Sequence, residues 1–126
     1  MKIIRATGVP ILVTVFLILV GCLGTFLGLQ SMFDGSNAVG FVEGAEALGM
    51  TWGGRNAGLG VALLVAVVLR NAHGYVVALS ASLFREISDI MANGDMAIPL
   101  LIFLLIELIC LGFSLRPVIQ NWSYEE

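Results

Sequence analysis

The chain has 126 residues, 59% of them hydrophobic and 12% charged. A soluble domain carries about 25% charged residues, so half that share points to a lipid environment. With a net charge of −3, no basic run and no basic–aromatic patch, the sequence excludes a nucleic-acid surface.

Met1 to Gly8 is short and basic through Lys2 and Arg5. Val9 to Leu29 is an apolar run long enough to cross a bilayer, which takes about 20 residues. A basic start before an apolar core also fits a secretory signal, and Leu19-Val20-Gly21-Cys22 looks like a lipoprotein cleavage box. The run continues through Leu23, Phe26, Leu27 and Leu29, where a lipoprotein would turn polar, so a span is expected. Gly21, Gly24 and Gly28 form a small-residue stripe suited to close packing against a neighbouring helix.

Gln30 to Gly53 is the longest connection, rich in glycine and in the acids Asp34, Glu43 and Glu46. Phe41, Val42, Ala45 and Leu48 recur with an amphipathic spacing, and Asn37 is placed to cap such a segment. A short interfacial helix is expected there, with Trp52 anchored at headgroup level. A second span covers about 53–69. On it Arg55, Gly58, Ala62 and Ala66 share a face expected to be buried, opposite Leu64 and Val68. Arg70 to Gly74 is expected to be a tight turn.

The third span, about 75–93, carries Arg85, Glu86 and Asp89. A charge at the bilayer centre costs about 2.5–3.5 kcal/mol on the insertion scale, so three of them need compensation inside a bundle. At about 100° per residue, Ala78, Ala81, Ser82, Arg85, Ser88, Asp89 and Ala92 fall on one small, polar face. Val76, Leu79, Leu83, Ile87 and Ile90 fall on the opposite, lipid-suited face, with Glu86 at the border. After a turn at Asn93-Gly94-Asp95, the fourth span covers about 97–115. Glu107 is its only ionisable carboxylate, Arg116-Pro117 is its expected end, and Trp122 and Tyr124 are interfacial anchors.

Depth counting places Arg85, Glu86 and Glu107 near mid-membrane, with Asp89 about a turn further out and Arg55 above it. Expected pairs are Arg55 with Asp89, and Arg85 with Glu107 or Asp89. Ion pairs that only fix helix register are the plain reading of this set. The functional reading is an outward-facing site for a polar head, an ion or a proton. Cys22 and Cys110 differ in depth by roughly 10 Å, too far for a disulfide, and are expected to be free thiols. His73 is the only histidine, so no histidine-rich metal site exists. No GxSxG, HExxH or CxxC motif is present.

Gly53 to Arg70, GGRNAGLGVALLVAVVLR, followed by Arg85-Glu86-Ile87-Ser88-Asp89, resembles small four-span bacterial membrane proteins of the DUF4345 and DUF4267 type and, more loosely, the DoxX-like group. In that pattern an arginine opens a Gly/Ala-rich second span, and an arginine with an acid follows in the third. Arg55, Arg85 and Asp89 match it. The resemblance implies a bacterial inner membrane and, for the DoxX-like group, an association with quinone-dependent redox complexes.

The sequence therefore reads as an all-α, integral membrane four-helix bundle, one transmembrane domain over residues 1–126. The positive-inside rule puts Lys2, Arg5, Arg70 and Arg116 in the cytoplasm with both termini. The expected function is a non-enzymatic accessory subunit, or a binder of a hydrophobic molecule with a polar head, acting through Arg55, Arg85, Glu86, Asp89 and Glu107. The expected partners are the lipid bilayer, a hydrophobic small molecule and a membrane complex or homo-oligomer. No cofactor or metal is expected. Alternatives are a transporter or proton relay through Glu107, Asp89 and Glu86, and a membrane enzyme acting on a lipid or isoprenoid.

Overall fold

The computed structural model describes residues 8–38, 42–92 and 97–122. Among them are four helices, α1 (Ile11–Phe33), α2 (Glu46–Leu69), α3 (Ala72–Ala92) and α4 (Ala97–Trp122), with one 3-10 turn at Gly35–Asn37. At about 1.5 Å per residue, each helix exceeds the roughly 30 Å of a hydrocarbon core. Ile11–Phe33, Glu46–Leu69 and Ile98–Trp122 are long and apolar enough to cross a membrane; α3 is not among them. It is the helix that carries Arg85, Glu86 and Asp89. Lys2, Arg5, Phe41, Asp95 and Tyr124, which the sequence reading used, lie outside the described residues.

Contacts gather the chain into two compact units, residues 15–65 and residues 1–14 with 66–126. In the first, α1 and α2 run antiparallel with backbone against backbone. Gly28 lies on the backbone of Gly53 and Ala57, and Gly60 on that of Gly21 and Thr25, so a methyl group at either glycine would collide with main chain. Side-chain polar groups fold back locally: Thr25 Oγ1 donates to Gly21 O (2.7 Å), Ser31 Oγ to Leu27 O (3.0 Å) and Asn56 Nδ2 to Trp52 O (2.8 Å). These bonds satisfy hydroxyl and amide hydrogens that lipid could not.

The expected interfacial helix is absent from the described part of the loop. Val42 to Ala45 form a turn, closed by Ala45 N–H donating to Val42 O (3.0 Å). Gly44 sits in the left-handed region at φ 84°, a conformation that interrupts a right-handed helix. Leu48, expected on that helix, belongs instead to the first turn of α2. Asn37 ends the 3-10 turn rather than capping a helix; the cap is Asp34, whose Oδ1 accepts from Ser36 N–H (3.0 Å) and Ser36 Oγ (2.6 Å). Trp52 is inside α2 and half-buried. The buried face of α2 also differs from the expected one. Arg55, Gly58 and Ala62 are exposed, while Gly53, Ala57, Gly60, Leu63 and Ala66 are buried.

In the second unit, the first turns of α1 and α3 meet the last turns of α2 and α4. Thr14 Oγ1 and Tyr75 OH share a buried hydrogen bond (2.8 Å), Ala66 packs on Gly74, and Pro117 lies against Gly8. Asn71 sets the start of α3. Its Oδ1 accepts from His73 N–H (2.9 Å), as a helix N-cap does, so α3 begins at Ala72 and exposed His73 is in its first turn rather than in a loop. Arg70, at φ 52°, makes the corner. α4 does not stop at Arg116-Pro117 but continues to Trp122, with the Pro117 ring buried. That packing offsets the backbone hydrogen bond lost at a helical proline.

Candidate functional site

α4 is apolar almost all round, yet its buried stripe is polar. Ile102, Leu105, Ile106, Leu108 and Ile109 are exposed, whereas Glu107, Cys110 and Ser114 are buried. The spacing 107, 110, 114 is one helix face, and a helix with a polar buried face and an apolar exposed one is built for lipid. Ser114 Oγ returns its hydrogen to Cys110 O (2.9 Å), so it is locally satisfied. Glu107 has no such local outlet and turns toward α3.

On α3 the buried residues are Tyr75, Ala78, Leu79, Ser82 and Glu86, spaced i, i+3, i+4, i+7 and i+11. That face is rotated by about 80° from the one read off the sequence. Leu79, assigned to lipid, is fully buried, and Glu86, assigned to the border, is 4% exposed. Ala81 and Ser88, assigned to the interior, are exposed.

These two stripes meet at Ser82 and Glu107, both fully buried. Ser82 Oγ donates to Glu107 Oε1 at 2.5 Å, the length of a charge-assisted O–H···O bond. Arg85 Nη2 donates to Glu86 Oε1 in an ion pair. Glu86 and Arg85 are both near enough to act electrostatically on Glu107, and Glu107 on the neighbouring thiol of Cys110. Three side-chain atoms of this cluster, the donor Arg85 Nε and the acceptors Glu86 Oε2 and Glu107 Oε2, are buried without a hydrogen-bond partner among the described residues. An unmatched buried polar atom costs about 1–3 kcal/mol, more when charged, so such atoms mark a place where a further polar group is wanted.

Of the five charged residues singled out from the sequence, Arg85, Glu86 and Glu107 come together. Asp89 lies about a turn further along α3 and is half-buried, Arg55 is exposed on α2, and each of these two has an interaction of its own. Sequence reasoning missed two contacts. The first is Arg85 with Glu86: adjacent residues point about 100° apart on a helix and do not normally face one another, and only their long stems allow the pair. The second is Ser82 with Glu107. Depth counting carried a signal for it, because Ser82 is near the middle of α3 as Glu107 is near the middle of α4. Cys22 and Cys110 are both free thiols. Among the described residues no group of three or more His, Cys, Asp or Glu is placed to hold a metal ion.

No family model, curated protein or solved structure matches the chain.

Proposed function

We propose that the chain is a four-span, non-enzymatic integral membrane protein that binds a hydrophobic molecule and receives its polar head at the α3–α4 cluster, alone or as an accessory subunit of a membrane complex. The observation that carries this reading is the pair of buried carboxylate oxygens, Glu86 Oε2 and Glu107 Oε2, that lack a partner. A photoactivatable diazirine alkyl alcohol tests it. Photolysed with the full chain in lipid nanodiscs, it should label α3 and α4 around Ser82 and Glu107; labelling spread evenly over all apolar helix faces would overturn the reading.

Four crossings are supported by connectivity. α3 joins the end of α2 to the start of α4, and the ends of α2 and α4 lie together with the starts of α1 and α3 in residues 1–14 with 66–126. If α2 and α4 both cross, α3 must return across the same thickness. Its charges are tolerable because Glu86 is buried and the Arg85 side chain is only 8% exposed. The charge bias of the loops supports cytoplasmic termini, and the resemblance to bacterial four-span proteins supports the inner membrane. A cysteine introduced at Ser36 should react with an impermeant maleimide from outside, and one at Asn71 should not; the reverse pattern would invert the topology.

A second reading uses the same atoms. An acidic pair with open acceptor positions is also what a proton relay needs, with Glu107 and Glu86 as its members and Asp89 a turn away.

A further inference from the structure

The helix that carries the charges differs from its neighbours in what it needs in order to cross. We infer that α3 is a dependent span: it crosses the membrane only as one half of a hairpin with α4, held there by the contact between Ser82 and Glu107. This rests on the four-crossing reading above and adds the condition under which the third crossing forms.

Composition comes first. α3 is not among the helices apolar enough to cross. Its 21 residues include seven Leu, Ile, Val or Phe, against the charged residues Arg85, Glu86 and Asp89. Near the centre of a span one charge cancels the gain from roughly six such apolar residues, so α3 by itself is unfavourable in lipid. α4 carries fifteen of these apolar residues, with Glu107 in its body and Arg116 near its end, and is apolar enough to cross.

Connectivity comes second. Only residues 93–96 separate α3 from α4. From residue 92 to residue 97 an extended chain reaches at most about 18 Å, well short of a hydrocarbon core of roughly 30 Å. α4 therefore starts on whichever side α3 ends. If α3 crosses, α4 returns across the membrane. If α3 stays on the cytoplasmic side, α4 crosses in the opposite sense and carries residue 121 outside.

The contacts say what selects between these two arrangements. The Arg85–Glu86 pair is internal to α3 and goes with that helix wherever it lies. The bond from Ser82 Oγ to Glu107 Oε1 is not internal: it forms only with α4 packed alongside. Ser82 and Glu107 are both fully buried, so each helix covers the mid-span polar group of the other, as such groups require in lipid. The face that α3 leaves exposed carries Val77, Phe84 and Met91, which suit lipid once the polar side is covered.

The experiment maps topology in the full chain, with Cys22→Ala and Cys110→Ala removing the native thiols. Single cysteines at Gly94 and Asn121 are probed on spheroplasts with an impermeant maleimide, and labelling is normalised to the amount of chain. With α3 and α4 otherwise intact, position 94 should label and position 121 should not. Glu107→Leu and Ser82→Ala each remove a polar group, so apolarity alone would leave the α3 crossing unchanged or improve it. Pairing demands the opposite. Both variants should lower the ratio of labelling at 94 to labelling at 121 by about threefold or more, the effect of one interhelical hydrogen bond in a membrane. Ala81→Leu, at the exposed neighbour of Ser82, should leave the ratio unchanged or raise it. If Glu107→Leu is degraded, Ser82→Ala decides. A ratio that holds or rises in the polar-group variants, or that falls equally with Ala81→Leu, would overturn the inference and leave the four-crossing reading in place. Labelling at 121 rather than 94 in the chain with Ser82 and Glu107 intact would overturn both.

Discussion

Between residues 15 and 65, α1 and α2 approach until backbone touches backbone, with Gly28 on Gly53 and Ala57, and Gly60 on Gly21 and Thr25. α3 and α4 instead meet through side chains, with Ser82 bonded to Glu107 and the Arg85–Glu86 pair one turn away. The two helix pairs face the same physical problem. Lipid tails are as apolar as leucine, so hydrophobicity alone does not hold one membrane helix against another. The first pair associates through van der Waals contact that only missing side chains permit, and Thr25, Ser31 and Asn56 each donate to a carbonyl of their own helix. The second is joined by the Ser82–Glu107 bond, in which Glu107 has no outlet on its own helix. The polar interface leaves buried polar atoms of Arg85, Glu86 and Glu107 without a hydrogen-bond partner among the described residues, which is why the candidate site belongs to α3 and α4.

Breaking the polar pair should have the largest effect. Arg85→Met leaves the buried Glu86 carboxylate without its counter-charge, and removing one member of a buried pair costs about 3–5 kcal/mol. Unfolding in mixed dodecyl sulfate micelles measures it. The double variant Arg85→Met/Glu86→Leu should lose clearly less than the sum of the two single variants, because it strands no charge. Simple additivity would show that Arg85 and Glu86 do not stabilise one another, and the Ser82–Glu107 bond would then be the polar contact that distinguishes this helix pair.

The glycine interface can be tested within one helix. Gly60→Ala places a methyl group on the Thr25 backbone and should cost about 1–3 kcal/mol, the usual effect of overpacking a close contact. Gly58→Ala, two residues earlier, meets nothing within 4 Å and should be neutral or slightly stabilising, since alanine favours helix over glycine by about 1 kcal/mol. If both variants behave alike in the same unfolding assay, α1 and α2 are not in backbone contact.

The smallest effect lies at the turn beyond α1. The Ser36 hydroxyl and then its N–H bond to the Asp34 carboxylate, holding it below the usual aspartate range. Because the folded value is lowered, this contribution to stability is present above the ordinary aspartate range and is lost as pH falls through the folded value. Ser36→Ala should raise the Asp34 titration toward its ordinary value, followed by carbon-detected NMR on the labelled side chain, with no change in the α1–α2 contact. An unmoved titration would show that Ser36 does not hold Asp34.

The sequence by itself determined which stretches are helices long and apolar enough to cross a membrane. Apolar runs of span length are a local property, and rise per residue converts position into level along a helix, so α1, the body of α2 and most of α4 were legible, as was the common level of Arg85, Glu86 and Glu107. Helix ends were less so. Asn71 begins α3 early and Gly44 breaks the loop pattern through backbone conformations that hydrophobic periodicity does not encode, and Pro117 stays helical because Gly8 leaves room for its ring. Only the tertiary structure decided which face of each helix is inside. Small residues lie on more than one side of α2, and the pairing of Gly21 and Gly28 with Gly60, Gly53 and Ala57 selected one side and left Gly58 and Ala62 exposed. On α3 the partner stripe of Glu107, Cys110 and Ser114 turned Ser82 and Glu86 inward and placed Leu79, assigned to lipid, in the interior. Rotation about a helix axis is set by what the neighbouring helix presents, and that is information no single segment contains.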